Sequence, residues 1–325
     1  MYAPATYGTA LVLMLASMIC WGSWPSFLKK LPGWRLEYFY IDYTLGFLLT
    51  ALIFGLTLGS GAGEPGHLAA LQQAASREAT FAVVGGFIWN VGNILLLNSI
   101  MIAGLAVAYP IAAIPAIVFG IGVSYWLQPV GNPWALGTAI VLLLVAAQTT
   151  AAAYRRLGQS PAGHRRRGIT IAVISGFLIG FFPPFVTAAI SGGSALDSYT
   201  VSTFFTLGAA AATAIAIPIL IRHTLVGEPG RLGGYLEGRT AAHVLGLLAG
   251  AVWCAGTVFN FISAGMVGIA ISVGIGSGAP AVGALWGVFV WREFAGGSAL
   301  AKAYIGAALL LFAAGVTAMA LSYTL

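Results

Sequence analysis

The sequence predicts an all-α integral membrane protein of ten transmembrane helices, built as two inverted repeats of five. Three observations predict it: a composition too apolar for a water-facing globule, ten long apolar runs, and matched residues in the two halves. Hydrophobic residues fill 59% of the 325 positions, charged residues only 7%, and the mean hydropathy is +0.95. A soluble domain carries about 25% charged residues. Disorder is excluded by the same numbers, since it needs low hydrophobicity and high charge.

The apolar runs lie at 6–28, 38–60, 79–100, 104–128, 132–154, 168–190, 198–221, 241–264, 267–291 and 300–323. Each is near the roughly 20 residues that cross the hydrocarbon as a helix. Barrel strands are shorter and alternate. The first run has no charged segment before it and reads as a span, not a cleaved signal. Connections at 102–103 and 265–266 leave room for a turn only, so the spans they join are antiparallel neighbours. Only 61–78, 155–167 and 222–240 have any length, and none can hold a soluble domain. The chain therefore divides into a first repeat, 1–154, a basic linker, 155–167, and a second repeat, 168–325.

Charge placement predicts orientation. With ten spans, Lys29, Lys30, Arg35, Arg155, Arg156, Arg165, Arg166, Arg167, Arg222, Arg231, Arg239, Arg292 and Lys302 share one side, and Arg77 alone takes the other. Cytoplasmic loops are the ones enriched in Lys and Arg. The expected location is the plasma (inner) membrane, with both termini outside and 155–167 in the cytoplasm. The net charge of +6 is thus an orientation signal, and no nucleic-acid partner is expected. Cys20 and Cys254 both fall inside apolar runs and read as packing residues. No zinc spacing or P-loop occurs, and no cofactor is expected. The glycines at 61, 63 and 66 spell GxGxxG, but no strand precedes them, so they are not a nucleotide fingerprint.

The repeat appears on sliding the chain against itself. A shift of 158 aligns Ser17, Gly22, Pro25 and Phe27 with Ser175, Gly180, Pro183 and Phe185. A shift of 164 aligns Gly86, Trp89, Gly92, Gly104 and Ala106 with Gly250, Trp253, Gly256, Gly268 and Ala270. Five is odd, so the second half enters the membrane upside down. Inverted repeats place a solute site near the midplane, where the halves meet.

Polar groups within spans usually face the bundle interior. The third span carries Trp89, Asn90 and Asn93 along one helical stripe, and the eighth carries Trp253, Thr257 and Asn260. Such residues either glue helices together or line a shared cavity. Trp21 and Trp24 precede or flank the kink at Pro25, and Tyr109 precedes Pro110. Their rings could stack on a planar or ring-shaped solute, or anchor at the interface. Those nine residues are the candidate binding set. Asp42 stands about one turn inside the second span. It is either a proton-coupling carboxylate or a polar cap paired with Lys29, Lys30 or Arg35. So few interior charges point to a neutral solute.

Several segments carry a family resemblance: Trp21-Gly-Ser-Trp-Pro25, Tyr40-Ile-Asp-Tyr-Thr44, Leu56-Thr-Leu-Gly59, Gly92-Asn93, Gly104-Leu105, Tyr199-Thr200 and Trp286-Gly287. The chain resembles the drug/metabolite transporter superfamily, and within it the ureide permease-like and glucose/ribose porter families. The resemblance implies the drug/metabolite transporter fold of ten spans in inverted five-helix repeats. It implies uptake of ureides and oxo-heterocycles with protons, or of sugars. Two features depart from the plant permeases. The 155–167 linker is short and has no Walker-like sequence, and Tyr109 stands where their pattern has an acidic residue. Those departures favour a sugar.

The function expected is secondary active transport of a small neutral polar solute, proton-coupled and by alternating access. The expected partners are the solute, protons and the bilayer, with the chain a monomer or homodimer. The alternative is a metabolite or drug exporter of the same superfamily. A membrane enzyme would need a convergent acid, base or metal set, and the spans carry none. A receptor would need an output domain, and no connection holds one.

Overall fold

The computed structural model describes residues 1–60, 66–158, 165–191 and 193–325. Gly61 and Gly63 of the glycine motif, and 159–164 of the basic linker, lie outside them. The helices are α1 (Tyr7–Ser23), α2 (Pro25–Leu28), α3 (Leu36–Thr57), α4 (His67–Gln73), α5 (Ser76–Ala103) and α6 (Leu105–Leu127). They continue as α7 (Pro133–Arg155), α8 (Arg165–Ile190), α9 (Ser198–Arg222), α10 (Thr240–Gly276), α11 (Ala279–Leu285) and α12 (Ala299–Leu321). No strand occurs among the described residues. A lipid-embedded chain has no water to satisfy its backbone, so each span closes its own hydrogen bonds.

Among the described residues, nine helical stretches are long and apolar enough to cross a membrane. This is a multi-pass membrane protein. One stretch, Thr240–Val290, has 51 residues, which as a straight helix would extend roughly 75 Å. It does not run straight. At Gly268 the backbone takes φ 79, ψ 158, a region essentially reserved for glycine. Beyond it the chain doubles back. Asn260 Nδ2 donates to the Ser272 carbonyl at 2.8 Å, and Ser272 Oγ donates to Asn260 Oδ1 at 3.1 Å. Twelve residues of straight helix would hold those groups about 18 Å apart. Gly104, 164 residues earlier, has nearly the same conformation, φ 82 and ψ 152, and joins α5 to α6.

The helices at the centre are α3, α5, α9 and the first limb of α10. They pack as α5 on α9 and α3 on α10, with α3 also against α9. Their backbones approach closely because glycines face carbonyls. A Cβ on Gly86 would collide with the Phe205 carbonyl, and one on Gly250 with the Tyr43 carbonyl. Small residues at such crossings let dispersion contacts hold helices together in lipid. Around this centre, α6 and α8 form one flank, α1 and α11 the other, and α7 pairs with α12 at the periphery. The outer surface is apolar, with Leu310 and Phe289 largely exposed, and Trp126 and Trp134 stand at helix ends. Indoles at that depth match an interfacial belt.

Short α4 docks beside α3 and α9 through buried His67, whose Nε2 lies 3.1 Å from Thr203 Oγ1. Burial holds this imidazole below its usual pKa, with Asp197 pulling the other way.

Methyl groups at the two central crossings are expected to force the helices apart. Gly86→Ala and Gly250→Ala should each cost about 1–3 kcal/mol, as overpacking does. Thermal unfolding in detergent should show both melting lower. Gly306→Ala should melt at or above wild type, since a Cβ there meets open space and alanine is the better helix former.

Candidate functional site

Between α1, α5, α6, α8 and both limbs of the α10 hairpin lies a cavity of about 350 Å³. Among the described residues no charged side chain lines it. Its wall holds Trp21, Trp24, Trp89, Asn93, Tyr109 and Trp253, six of the nine candidates. The lining positions fall late on α1 and α5 and early on α6. The cavity is therefore displaced toward the end of the bundle that carries Lys29 and Lys30.

Two indoles from opposite halves form its floor. Trp89 and Trp253 stack with centroids 4.2 Å apart and planes 20° from parallel. Around them Tyr43, Phe47 and Phe205 pack in tilted, edge-on and stacked contacts. Such pairs add roughly 0.5–1.5 kcal/mol beyond their burial, so the floor is stiff. Trp24 is 6% exposed and lies over Tyr43 at 4.7 Å. It is a buried wall residue, packed on Tyr43 at the junction of α1 and α2.

The polar residues of the two stripes divide. Asn93 faces the cavity and donates through Nδ2 to Tyr40 Oη at 2.7 Å. Tyr40 in turn donates to Asn90 Oδ1 at 2.8 Å. Asn90 does not line the cavity. Its Nδ2 donates to the Ala209 carbonyl at 2.6 Å and to Thr213 Oγ1 at 2.7 Å, and Thr213 meets Thr44 at 2.9 Å. Asn90 thus ties α3, α5 and α9 together. Asn260 holds the α10 hairpin, as above. Thr257 is also off the cavity, but it accepts from Trp21 Nε1 at 3.1 Å and so fixes the orientation of a wall residue.

What remains free in the wall is mostly donor. The indole nitrogens of Trp24, Trp89 and Trp253 and the Tyr109 hydroxyl take no hydrogen-bond partner among the described residues. The Asn93 side-chain oxygen is likewise unengaged by protein. Flat apolar faces, several N–H and O–H donors, one amide and no charge suit a small neutral solute rich in carbonyl or hydroxyl oxygens. Pockets for such ligands are largely apolar with few placed polar groups.

Asp42 is not in this wall. It is 2% exposed and is held by Tyr235 Oη at 2.6 Å and by His243 Nδ1 at 2.9 Å. None of the expected basic partners Lys29, Lys30 and Arg35 pairs with Asp42, and two of them are engaged elsewhere. Lys29 pairs with Glu293, and Arg35 reaches Glu37 and the Glu228 carbonyl. Burial and the adjacent Asp42 push the Tyr235 phenol up to about 12. Sequence reasoning missed Tyr40, Tyr235 and His243. Tyr40 adjoins Asp42 in a segment already singled out. His243, a polar residue in the first turn of an apolar run, was the available signal for the third element of that cluster.

Residues 39–156 match the family model described as Ureide permease. Ureide permease 1 of Arabidopsis thaliana is 33% identical over 131 residues, covering 39% of this chain and 34% of that protein. Ureide permease 3 of the same plant is 30% identical over 131 residues, covering 39% and 38%. Probable ureide permease A3 of Vigna unguiculata is 31% identical over 127 residues, covering 37% and 34%. The alignments thus span about a third of the length of the curated relatives. The family match includes Asp42, Trp89, Asn93 and Tyr109, and leaves Trp21 and Trp253 outside. A solved crystal structure of a protein superposes over 96% of each chain with a TM-score of 0.64 at 14% identity. That likeness extends to the fold alone.

The hydrogen-bond assignments generate a contrast. Asn90→Ala leaves buried Thr213 and Tyr40 short of a partner and should cost about 1–3 kcal/mol. Asn93→Ala should cost less, because it borders open volume. Equal losses in thermal stability for the two variants would contradict this division.

Proposed function

We propose that the chain is a secondary transporter that takes up a small neutral polar solute, coupled to protons, by alternating access around the aromatic cavity. The observation that carries this reading is the charge-free cavity at the meeting of the two halves, with stacked Trp89 and Trp253 as its floor. The match to the ureide permease model over 39–156 supports a ureide or related oxo-heterocycle as the solute. Carbonyl oxygens around a flat ring would meet the free indole and phenol donors while the ring faces lie on tryptophan. This reading displaces the sugar favoured by Tyr109 and the short linker. Trp21, Trp24, Trp89, Asn93, Tyr109 and Trp253 form the proposed contact set, with Asn90, Thr257 and Asn260 supporting it from behind.

Ten spans in two inverted repeats belong to this proposal. Counting the hairpin at Gly268 as two traverses gives ten. The correspondence at a spacing of 164 supports the repeat: Gly104 with Gly268 in conformation, Gly86 with Gly250 at a carbonyl, and Trp89 with Trp253 across the cavity. The 13 basic residues sharing one side support an inner-membrane orientation with both termini outside. Asp42 is the proposed coupling carboxylate, since it is buried and lies within a span.

Binding is tested by thermal shift on the purified protein with allantoin, uracil and glucose, because a ligand of the folded state raises its melting temperature. Allantoin or uracil should shift the wild type. Asn93→Ala should weaken that binding about tenfold, the equivalent of roughly 1.4 kcal/mol. Trp253→Phe should weaken it while keeping the aromatic packing that alanine would remove. A shift with glucose alone would replace the ureide reading with a sugar.

Orientation and coupling are tested in cells and in vesicles. A cysteine at exposed position 2 should react with an impermeant thiol reagent from outside, and one at exposed position 236 should not. In proteoliposomes, wild-type uptake of the solute that binds should rise with an imposed inward proton gradient. Asp42→Asn should abolish that dependence and keep solute exchange. Wild-type uptake indifferent to the gradient would make the chain a uniporter.

A further inference from the structure

Both carboxylate oxygens of Asp42 are covered. Tyr235 Oη takes Oδ1 at 2.6 Å, and His243 Nδ1 takes Oδ2 at 2.9 Å. The side chain itself is 2% exposed. A proton that reaches it from water must pass through one of these two neighbours. Burial and the adjacent Asp42 push the phenol up to about 12, so it stays protonated and donates to Asp42. The imidazole is different in kind. It has a second nitrogen, so it can take a proton at one nitrogen while giving one up from the other. The His243 side chain is 24% exposed.

That second nitrogen faces the segment between α9 and α10. The segment from Glu228 to Gly238 lies over the ends of α3 and α10 as a strap. It is tied down by Tyr38 Oη to the Arg231 carbonyl and by Arg35 to the Glu228 carbonyl. Where the strap passes Nε2 of His243 it carries Gly238, and a Cβ there would come within 2.6 Å of that nitrogen. Trp34 stands edge-on to the imidazole at 5.6 Å, and Tyr235 at 4.7 Å. Of the charged groups on the packed elements, four form ion pairs with one another, while the Glu228 carboxylate and Arg239 form none among the described residues. Arg35 faces Glu37 at 3.3 Å on α3, and Arg231 faces Glu237 on the strap. Neither pair includes Asp42 or His243, which hydrogen-bond each other.

We propose that His243 is the proton shuttle of Asp42, serving the side of the membrane that carries the strap. A proton from that side binds Nε2, the Nδ1 proton passes to Asp42 Oδ2, and the imidazole is left neutral with its hydrogen on Nε2. Release runs the same steps backward. One bond to hydrogen forms and one breaks at each stage, and no other reactant is needed. The inference rests on the reading of Asp42 as the coupling carboxylate.

The test follows protonation itself and uses no solute. The purified full-length chain is dropped rapidly from neutral to mildly acidic buffer, and the carbonyl stretch of a newly protonated carboxylic acid is followed by infrared absorption. Asp42→Asn assigns the band. His243→Gln keeps a donor toward Oδ2 but cannot relay, and should slow the appearance of the band by at least about tenfold, the low side of what positioned proton transfer contributes. In His243→Ala, added imidazole should restore the rate, which a purely structural role for the histidine would not allow. If the alanine variant does not fold, the glutamine variant decides the matter by rate. A wild-type rate in His243→Gln, or a slow alanine variant that imidazole leaves slow, overturns the shuttle and leaves Asp42 as the coupling group. A wild type without an Asp42-dependent band removes the coupling role of Asp42, and the shuttle with it.

Discussion

A bilayer offers polar groups no partner, and the rest of this structure follows from that constraint. Backbone groups satisfy it inside helices. Many side-chain groups satisfy it across helices: Asn93, Tyr40, Asn90, Thr213 and Thr44 form one connected chain through α5, α3 and α9, while the buried Tyr43 hydroxyl beside them has no partner among the described residues. A polar group left unpaired there costs more than its pairing yields. The few wall groups without a protein partner therefore stand out. They are concentrated on Trp24, Trp89, Trp253 and Tyr109, around a single cavity wall.

The same constraint explains how the chain turns within the membrane. A hairpin between apolar spans needs a sharp reversal with almost no loop, and glycine at positive φ supplies it at Gly104 and Gly268. The two hairpins are not held alike. The second is locked by the Asn260–Ser272 pair and by Ser263 Oγ donating to the Ala10 carbonyl. The positions that match Asn260 and Ser272 in the first are Leu96 and Ala108, which cannot form such a pair. Leu105 and Ile100 of the first hairpin instead border the cavity. Similar backbones with different side-chain locks leave the bundle asymmetric, with its cavity toward one end.

Charge is confined to the helix ends, and there it is organised. Lys29 meets Glu293, which also accepts from Tyr154 at 2.8 Å, so the ends of α2 and α7 and the segment before α12 converge. Asp42 departs from this pattern by lying inside α3 with a histidine and a tyrosine as partners. Burying a carboxylate is costly unless donors surround it, and the strap from Glu228 to Gly238 provides one of the two. The cavity, by contrast, has no charged side chain among the described residues, so the buried carboxylate and the aromatic cavity lie in separate places.

The sequence by itself determined the membrane class and the approximate positions of the apolar helices, and it flagged Gly104, Gly268, Trp89 and Trp253 as positions to compare. Those features are properties of local composition and period, and run length or side-chain type reads them directly. It also named six residues of the cavity wall, because aromatic and amide groups in apolar spans are rare enough to single out. Only the tertiary structure decided which of those groups are spent on neighbours. Asn90 and Asn93 are three residues apart with the same chemistry, yet Asn90 ties α9 and Asn93 borders open volume. Their separation depends on where the Ala209 carbonyl falls across the helix crossing. The partners of Asp42 were likewise decided by packing. Nearby Lys29, Lys30 and Arg35 were the natural expectation in sequence, but Tyr235 and His243 arrive from about 200 residues away because α10 crosses α3.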